Sequence, residues 1–292
     1  MLYYKVMRQI RKRMNLGPGQ LRWYLERMAI FNRLPSNATH EDIAIEDISI
    51  ESIEIDQAHD RFILLILHGG AFAFGSPRTH RPFVTRLCQL TGAKAYVPDY
   101  HLTPESRYPS ALDDCEAAYN YVRSENPDTP IWLVGDSAGG NLCVTLTRRL
   151  LARGESPEGL VLMSPWLDLT KESKSAQANF NRDSLFDRED LVRYSELYCD
   201  PDEHHLPEVS PLKADSFEGF PPTLIQVAQN ELLIHDSEEF ASRLTQDGID
   251  VTLQAEPNLF HCWQLFPAFL NEARVSIDKM VSFIADKNSI KV

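Results

Sequence analysis

Isoleucines at 43, 45, 48, 50, 53 and 55 alternate with polar residues. That is the period of a strand with one covered face, and the change of phase along the series predicts a turn or a bulge between two antiparallel strands. Beyond them, short apolar runs recur at 62–67, 93–98, 131–135, 159–164, 223–228 and 250–255, separated by longer stretches of helical periodicity. Such alternation predicts an α/β fold, a mostly parallel eight-stranded sheet flanked by helices. Two parts fall outside the rhythm, residues 1–40 and 167–210, and they carry Tyr3, Tyr4, Trp23, Tyr24, Phe31, Phe180, Leu185 and Phe186. The expected organisation is N-terminal cap helices over 1–40, a core over 41–166, a cap insertion over 167–210, and the rest of the core over 211–292.

The junction of the third apolar run with the helix after it reads GDSAGG, residues 135–140. A serine between a strand and a helix with glycines on either side is forced into a tight turn that leaves its hydroxyl exposed, the geometry of a nucleophile elbow. The helix behind it directs unpaired amides and the positive end of its dipole at the same spot. A plain tight connection would use the same residues, so the assignment of Ser137 as nucleophile depends on the other parts being present. Upstream, the run 62–67 leads into His68, Gly69, Gly70, Ala71 and Phe72. Small residues there can turn their N–H groups toward a cavity, and an alkoxide needs two or three such donors. Gly69, Gly70 and Ala71, together with Ala138, are the candidates for an oxyanion hole. His68 is expected to hold this loop by a hydrogen bond and not to act as a base.

Of nine histidines, only His204, His205, His235 and His261 follow Ser137, and the order serine, acid, histidine is the one this arrangement uses. His204 and His205 fall in a polar stretch expected to be a solvated loop, and His235 lies near a helix start. His261 follows the last apolar run and precedes the final helical stretch, where the general base belongs. The first carboxylate after the run 223–228 is Glu231, the expected orienting acid. Asp236 competes, but with Glu239 it has the spacing of a helix capping box, a structural role.

These motifs resemble the bacterial hormone-sensitive-lipase-like carboxylesterases of the α/β-hydrolase superfamily. The likeness spans HGGAF, DYHLTPESRYPSALDD at 99–114, GDSAGG, SPWLDL at 164–169, VSPL at 209–212, PPTLIQVAQNELLIHDS at 221–237 and FHCW at 260–263. It implies the α/β-hydrolase fold with a helical cap over the site, Ser137, Glu231 and His261 as triad, and hydrolysis of short- to medium-chain acyl esters through an acyl-enzyme. Phe72, Asp136 and Trp166 are expected to touch substrate. Two departures stand out: Ala71 takes the place of the third glycine of HGGG, and His101 that of the arginine of DYRL, removing a permanent cation. Amide or peptide hydrolysis on the same fold and a non-catalytic small-molecule receptor are the alternatives.

Composition narrows the partners. With 292 residues and 43% hydrophobic content the chain can bury a large core, and no apolar run approaches the ~18 residues that span a bilayer. A formal charge of −13 argues against nucleic acid or an anionic membrane as partner. Lys5, Arg8, Arg11, Lys12 and Arg13, spaced among apolar residues, are the exception and read as a solvated helix face. Five scattered cysteines, at 88, 115, 143, 199 and 262, have no metal-ligand spacing and suit reduced thiols in the cytoplasm. No metal or cofactor is expected; the partner is a small-molecule ester, and a homodimer is left open.

Overall fold

The computed structural model of the chain describes residues 17–45, 47–56, 58–59, 61–173, 175 and 186–288. Eight strands form one sheet: β1 (Ala38–Ile45), β2 (Ile48–Ile55), β3 (Ile63–Leu67), β4 (Lys94–Asp99), β5 (Ile131–Asp136), β6 (Gly159–Met163), β7 (Thr223–Ala228) and β8 (Val251–Glu256). Their order is β1-β2-β4-β3-β5-β6-β7-β8. Only β2 runs against its neighbours β1 and β4; every other pairing is parallel.

The two phase changes of the isoleucine series have different causes. Between Ile45 and Ile48, which pair with each other, the chain turns a hairpin. Between Ile50 and Ile53 nothing bends, because the register of β2 on β4 runs unbroken from Ser49 opposite Asp99 to Ile53 opposite Ala95. Instead β2 is covered on both faces: Ile50 belongs to the core on one side of the sheet and Ile53 to the core on the other. The sheet begins at Ala38, three residues before the expected start of the core.

Alternate residues of the central strands feed the two cores, as the pleat requires. From β3, Ile63, Leu65 and Leu67 pack with α3 (Ser110–Glu125), α4 (Ala138–Ala152) and α6 (Ile234–Gln246). Leu64 and Ile66 pack on the opposite face with α2 (Pro77–Thr91) and α7 (Asn271–Lys287). Burial on both faces is why these strands read as continuous apolar runs. Two further helices, α1 (Pro18–Ala29) and α5 (Arg188–Tyr198), lie in the parts expected to form the cap. Tyr3, Tyr4, Phe180, Leu185 and the basic cluster at 5–13 fall outside the described residues.

From β3 the chain crosses to β4 on one side and then returns to β5 on the other. A crevice opens outside the carboxyl ends of the strands where the order reverses, the usual ligand position in an open α/β sheet. The turn after β3 and Ser137 after β5 meet there.

Among the described residues no helix is long and apolar enough to cross a membrane. All five cysteines are buried and free, and burial pushes the Cys88 thiol up to about 12.

Candidate active site

Ser137 is the single residue between β5 and α4, with φ 53° and ψ −117°. A non-glycine residue in that region stores about 1–3 kcal/mol of backbone strain, and its neighbours hold it there. Its N–H donates to Met163 O at 2.8 Å, and its carbonyl accepts from Trp166 N at 3.1 Å. The turn needs glycine behind it: a Cβ on Gly139 would land on the Leu67 carbonyl, and one on Gly135 would sit 2.5 Å from Gly139 O.

The turn after β3 is built around the residue preceding Ser137. Asp136 Oδ1 accepts the Gly69 N–H at 2.8 Å and forms an ion pair with His80 Nε2 at 3.2 Å. All three are within the protein interior or nearly so. Burial alone would depress His80, but the Asp136 carboxylate outweighs it and raises the imidazole above its ordinary value. Burial likewise opposes the Asp136 charge, and the His80 cation and the Gly69 amide bring it below the usual range. The Gly69 amide is therefore spent on Asp136 and leaves the expected donor set. Gly70, at φ 124°, and Ala71, at φ 51°, then turn the chain back, while the Gly70 carbonyl accepts from Ala73 N and Phe74 N, both at 2.9 Å.

His68 has the role expected of it. Its Nδ1 lies 2.9 Å from Gly69 O, its ring stacks on Tyr100 at 4.1 Å, and Tyr100 donates to its carbonyl at 2.6 Å. Burial, with the nearby His80 cation, pushes it down to about 3, so it stays neutral.

Glu231 lies beyond the end of β7 and His261 beyond β8. Glu231 Oε2 sits 3.5 Å from His261 Nδ1 and accepts the Ser164 hydroxyl at 3.0 Å. Both side chains are almost wholly buried. Phe186 meets the His261 ring edge to face, centroids 5.2 Å apart. Asp236, the competitor, points elsewhere. It accepts Leu167 N and Asp168 N at 2.8 and 3.0 Å and the Ser175 hydroxyl. Its role is structural, yet not the expected capping box: it lies inside the first turn of α6, whose N-cap is Leu233. Burial raises its carboxyl to about 7 against the pull of those hydrogen bonds.

A narrow cleft of about 20 Å³ brings together Ala71, Ser137, Trp166, Leu232, Leu233 and His261 from the core with Phe186, Leu191 and Tyr194 from the segment before and within α5. Trp166 thus lies where substrate contact was expected. Phe72 and Asp136 do not: Phe72 is wholly buried and stacks on Tyr198 at 3.7 Å behind the cleft wall, and Asp136 is occupied with Gly69 and His80. Phe186, named in the sequence only as part of the cap, is in ring contact with His261. Ser164 lay inside a motif, but its contact with Glu231 and its φ of 48° are invisible in sequence.

Elsewhere the histidines sort differently from expectation in one case. His204, expected in a solvated loop, is buried; His235 pairs with Glu238 at 3.4 Å. His101 keeps a partner for the missing arginine, since its Nδ1 lies 2.9 Å from Asp114 Oδ2, which also accepts the His101 amide at 2.7 Å. Among the described residues, two clusters have metal-ligand spacing, His40 with Asp42 and Glu51, and Asp47 with His101 and Asp114. Neither includes a residue lining the cleft, and Glu51 and Asp114 already face Arg81 and His101.

Comparison with known proteins places this geometry in a lineage. A family model described as alpha/beta hydrolase fold matches residues 64–265. An esterase of Acinetobacter venetianus is 35% identical over 275 residues, covering 92% of this chain and 89% of its own. An acetyl-hydrolase of Streptomyces hygroscopicus is 35% identical over 223 residues, covering 76% of this chain and 74% of its own. The solved structure of an esterase from the bacterial hormone-sensitive lipase family superposes with a TM-score of 0.88 at 30% identity, covering 94% of this chain and 92% of that one. A hormone-sensitive lipase from a metagenome library superposes equally well, TM-score 0.88 at 31% identity, covering 96% and 97%.

Proposed function

The chain belongs to the bacterial hormone-sensitive-lipase family of α/β hydrolases and is a carboxylic ester hydrolase; on that footing we propose that Ser137, His261 and Glu231 are its catalytic triad and that it acts on short- to medium-chain acyl esters. The observation that carries the reading is that Ser137 and His261 line one cleft while Glu231 Oε2 stands 3.5 Å from His261 Nδ1. A carboxylate at that nitrogen keeps the proton on Nδ1 and leaves Nε2 free as the base.

In the reaction, His261 takes the Ser137 proton as Oγ attacks the ester carbonyl. The alkoxide is held by the N–H groups of Gly70, Ala71 and Ala138, each worth roughly 3–4 kcal/mol of transition-state stabilisation. His261 then protonates the departing alcohol, the C–O bond breaks, and the acyl group stays on Ser137. Water, deprotonated by His261, attacks the acyl carbon through a second alkoxide; the carboxylic acid leaves and Ser137 regains its proton.

The lining of the cleft supports the acyl-length reading. A narrow cleft bounded by Trp166, Phe186, Leu191, Tyr194, Leu232 and Leu233 favours a compact apolar acyl group. The Cβ of Ala71, in the position where the family has glycine, narrows it further. Phe186, Leu191 and Tyr194 belong to the insertion, which supports a cap that closes the cleft and excludes water. The test is a series of p-nitrophenyl esters with increasing acyl length, together with stoichiometric fluorophosphonate labelling. We expect kcat/KM to peak at short to medium chains and labelling to vanish in Ser137→Ala. A monotonic rise through long chains would remove the length assignment, and undiminished labelling of Ser137→Ala would remove the triad.

A further inference from the structure

Among the described residues that line the cleft none belongs to α1, yet α1 reaches the turn after β3 through one side chain. Arg22 Nη2 donates to the carbonyls of Ala73 and Thr103, each at 3.0 Å, and its Nε donates to Ala73 O at 3.2 Å. Glu105 pairs with the same guanidinium at 3.0 Å, which holds the planar fork in place. Thr103 is itself bound to the turn, because its N–H donates to Phe72 O at 2.8 Å. Its hydroxyl donates to Leu197 O, in α5, at 2.5 Å.

Peptide planes carry that grip to the cleft. In a trans unit the C=O of one residue and the N–H of the next lie in one plane and point in opposite directions, so fixing one fixes the other. The Ala73 carbonyl, held by Arg22, shares its plane with the Phe74 N–H, which donates to Gly70 O at 2.9 Å. The Phe72 carbonyl, held by Thr103, shares its plane with the Ala73 N–H, which donates to the same Gly70 O at 2.9 Å. Gly70 O in turn shares its plane with the Ala71 N–H. Both hydrogen bonds that aim the Ala71 amide are therefore anchored on a single arginine of α1, one directly and one through Thr103. Ala71 needs the anchoring, since at φ 51° it is a non-glycine residue in a region that persists only where its surroundings hold it.

We propose that Arg22 is a positioning residue for ester hydrolysis, aiming the Ala71 N–H at the alkoxide through the turn 70–74. This deepens the reading of Gly70, Ala71 and Ala138 as the oxyanion donors and rests on it. A donor of that kind works by being fixed before the charge develops, so loss of Arg22 weakens the hold on the transition state and leaves ester binding in place.

The experiment compares the full-length wild type with Arg22→Ala, Arg22→Lys and, as a control on the same helix, Arg27→Ala, whose guanidinium lies over the Trp23 ring. Two quantities are read at a temperature where circular dichroism shows each protein folded: kcat and KM on a short-chain p-nitrophenyl ester, and inhibition by a trifluoromethyl ketone. Ser137 Oγ adds to the ketone carbon as His261 takes its proton, leaving an alkoxide that the same amides must hold and that no leaving group relieves. We expect Arg22→Ala to lose about 10–100-fold in kcat, less than the roughly 10²–10³-fold of deleting a donor outright, with KM within about twofold and ketone affinity weakened by the same factor as kcat. Arg22→Lys, a point charge without the fork, should recover part of both, and Arg27→Ala should match the wild type. The proposal is overturned if kcat is unchanged in Arg22→Ala, if the loss is confined to KM, if kcat falls without ketone affinity, or if Arg27→Ala loses as much. Should Arg22→Ala not fold, Arg22→Lys decides by the same two readings, a fall in both supporting the proposal and any other result overturning it. Failure of the underlying serine-hydrolase reading shows separately, as activity or fluorophosphonate labelling that survives Ser137→Ala.

Discussion

Asp136 Oδ1 accepts the Gly69 amide at 2.8 Å, so the side chain next to Ser137 fixes the turn that carries Ala71 to the cleft. Strand β5 and the loop after β3 are thereby referenced to one another at the point where the ester carbonyl would sit. Asp136→Ala removes that reference and leaves the His80 charge buried without its partner, a loss of about 3–5 kcal/mol of stability. Asp136→Asn keeps an acceptor for Gly69 but gives up the charge. It should fold and lose activity chiefly in kcat, by about 10–100-fold, since one charge-assisted hydrogen bond is worth ~1.5–3 kcal/mol. Steady-state kinetics on a p-nitrophenyl ester decides it: a change confined to KM would mean that Asp136 acts on substrate binding and not on the turn.

The same pair sets a pH window for stability. His80 has its folded-state pKa raised, so its contribution is full below the unfolded value of 6.5 and fades as pH climbs through the folded one. Asp136 has its folded-state pKa lowered, so its contribution is present above 3.8 and fades as pH falls through the folded value. Their joint stabilisation is greatest between about pH 4 and 6.5. Its other neighbours do not blur this, because His68 is neutral throughout and Glu26 acts in the same sense as Asp136. The unfolding midpoint of the wild type should exceed that of Asp136→Asn most in this window. A gap that stays constant from pH 4 to 9 would show that the pair does not carry the charge.

Much of this architecture is legible in sequence for one physical reason: central strands covered on both faces are runs of apolar residues, and the order of strand and helix follows. Thr223–Ala228 falls where the pattern put it, and the other runs shift by a residue at most. The isoleucine phase change was ambiguous because two-sided burial of Ile50 and Ile53 looks like a bulge when only spacing is seen. At the site, chain order isolates His261, but composition cannot say which amides are free. Gly69 looks as good a donor as Gly70 until Asp136 is found beneath it. Phe72 likewise reads as a cleft residue, and only packing reveals that its ring is taken by Tyr198. Ser164 falls in a motif, but nothing in that motif reveals its contact with Glu231, which joins residues 67 apart.

Glu231 and Asp236 are five residues apart and should fail in different ways. Loss of the carboxylate facing His261 Nδ1 leaves the imidazole without its preferred tautomer, which in triads of this kind costs about 10⁴-fold in kcat. Glu231→Ala should show an effect of that order with the fold intact. Asp236→Ala should keep most of its activity at low temperature but unfold earlier, because the amides of Leu167 and Asp168 lose their buried acceptor, at about 1–3 kcal/mol for each. If Asp236→Ala were the more damaging to kcat, the acid would have to be reassigned.

Asp236 also carries a pH signature of the opposite sign to Asp136. With a folded-state pKa raised to about 7, it holds its proton while the unfolded chain releases it near 3.8. Stability therefore falls as pH rises from about 4 toward 7 and is level beyond. Asp236→Asn, which cannot ionise, should improve relative to wild type across that interval, measured as the difference in unfolding midpoint between pH 4 and pH 8. A difference that did not move with pH would place the Asp236 carboxyl in its ordinary range.

Ser137 offers a way to measure what the elbow stores. At φ 53° and ψ −117° any L side chain is strained, so Ser137→Ala should abolish catalysis but leave the strain in place. Ser137→Gly should abolish catalysis and release it. Glycine adds conformational freedom to the unfolded chain, a cost of roughly 0.5–1 kcal/mol against alanine, whereas the released strain is about 1–3 kcal/mol. The second outweighs the first, and Ser137→Gly should be the more stable of two equally inactive proteins by about 1 kcal/mol. Denaturant unfolding of the two variants side by side reads the difference directly. Should the alanine variant prove the more stable, the backbone at Ser137 relaxes once the hydroxyl is gone, and the strain belongs to the serine side chain rather than to the turn.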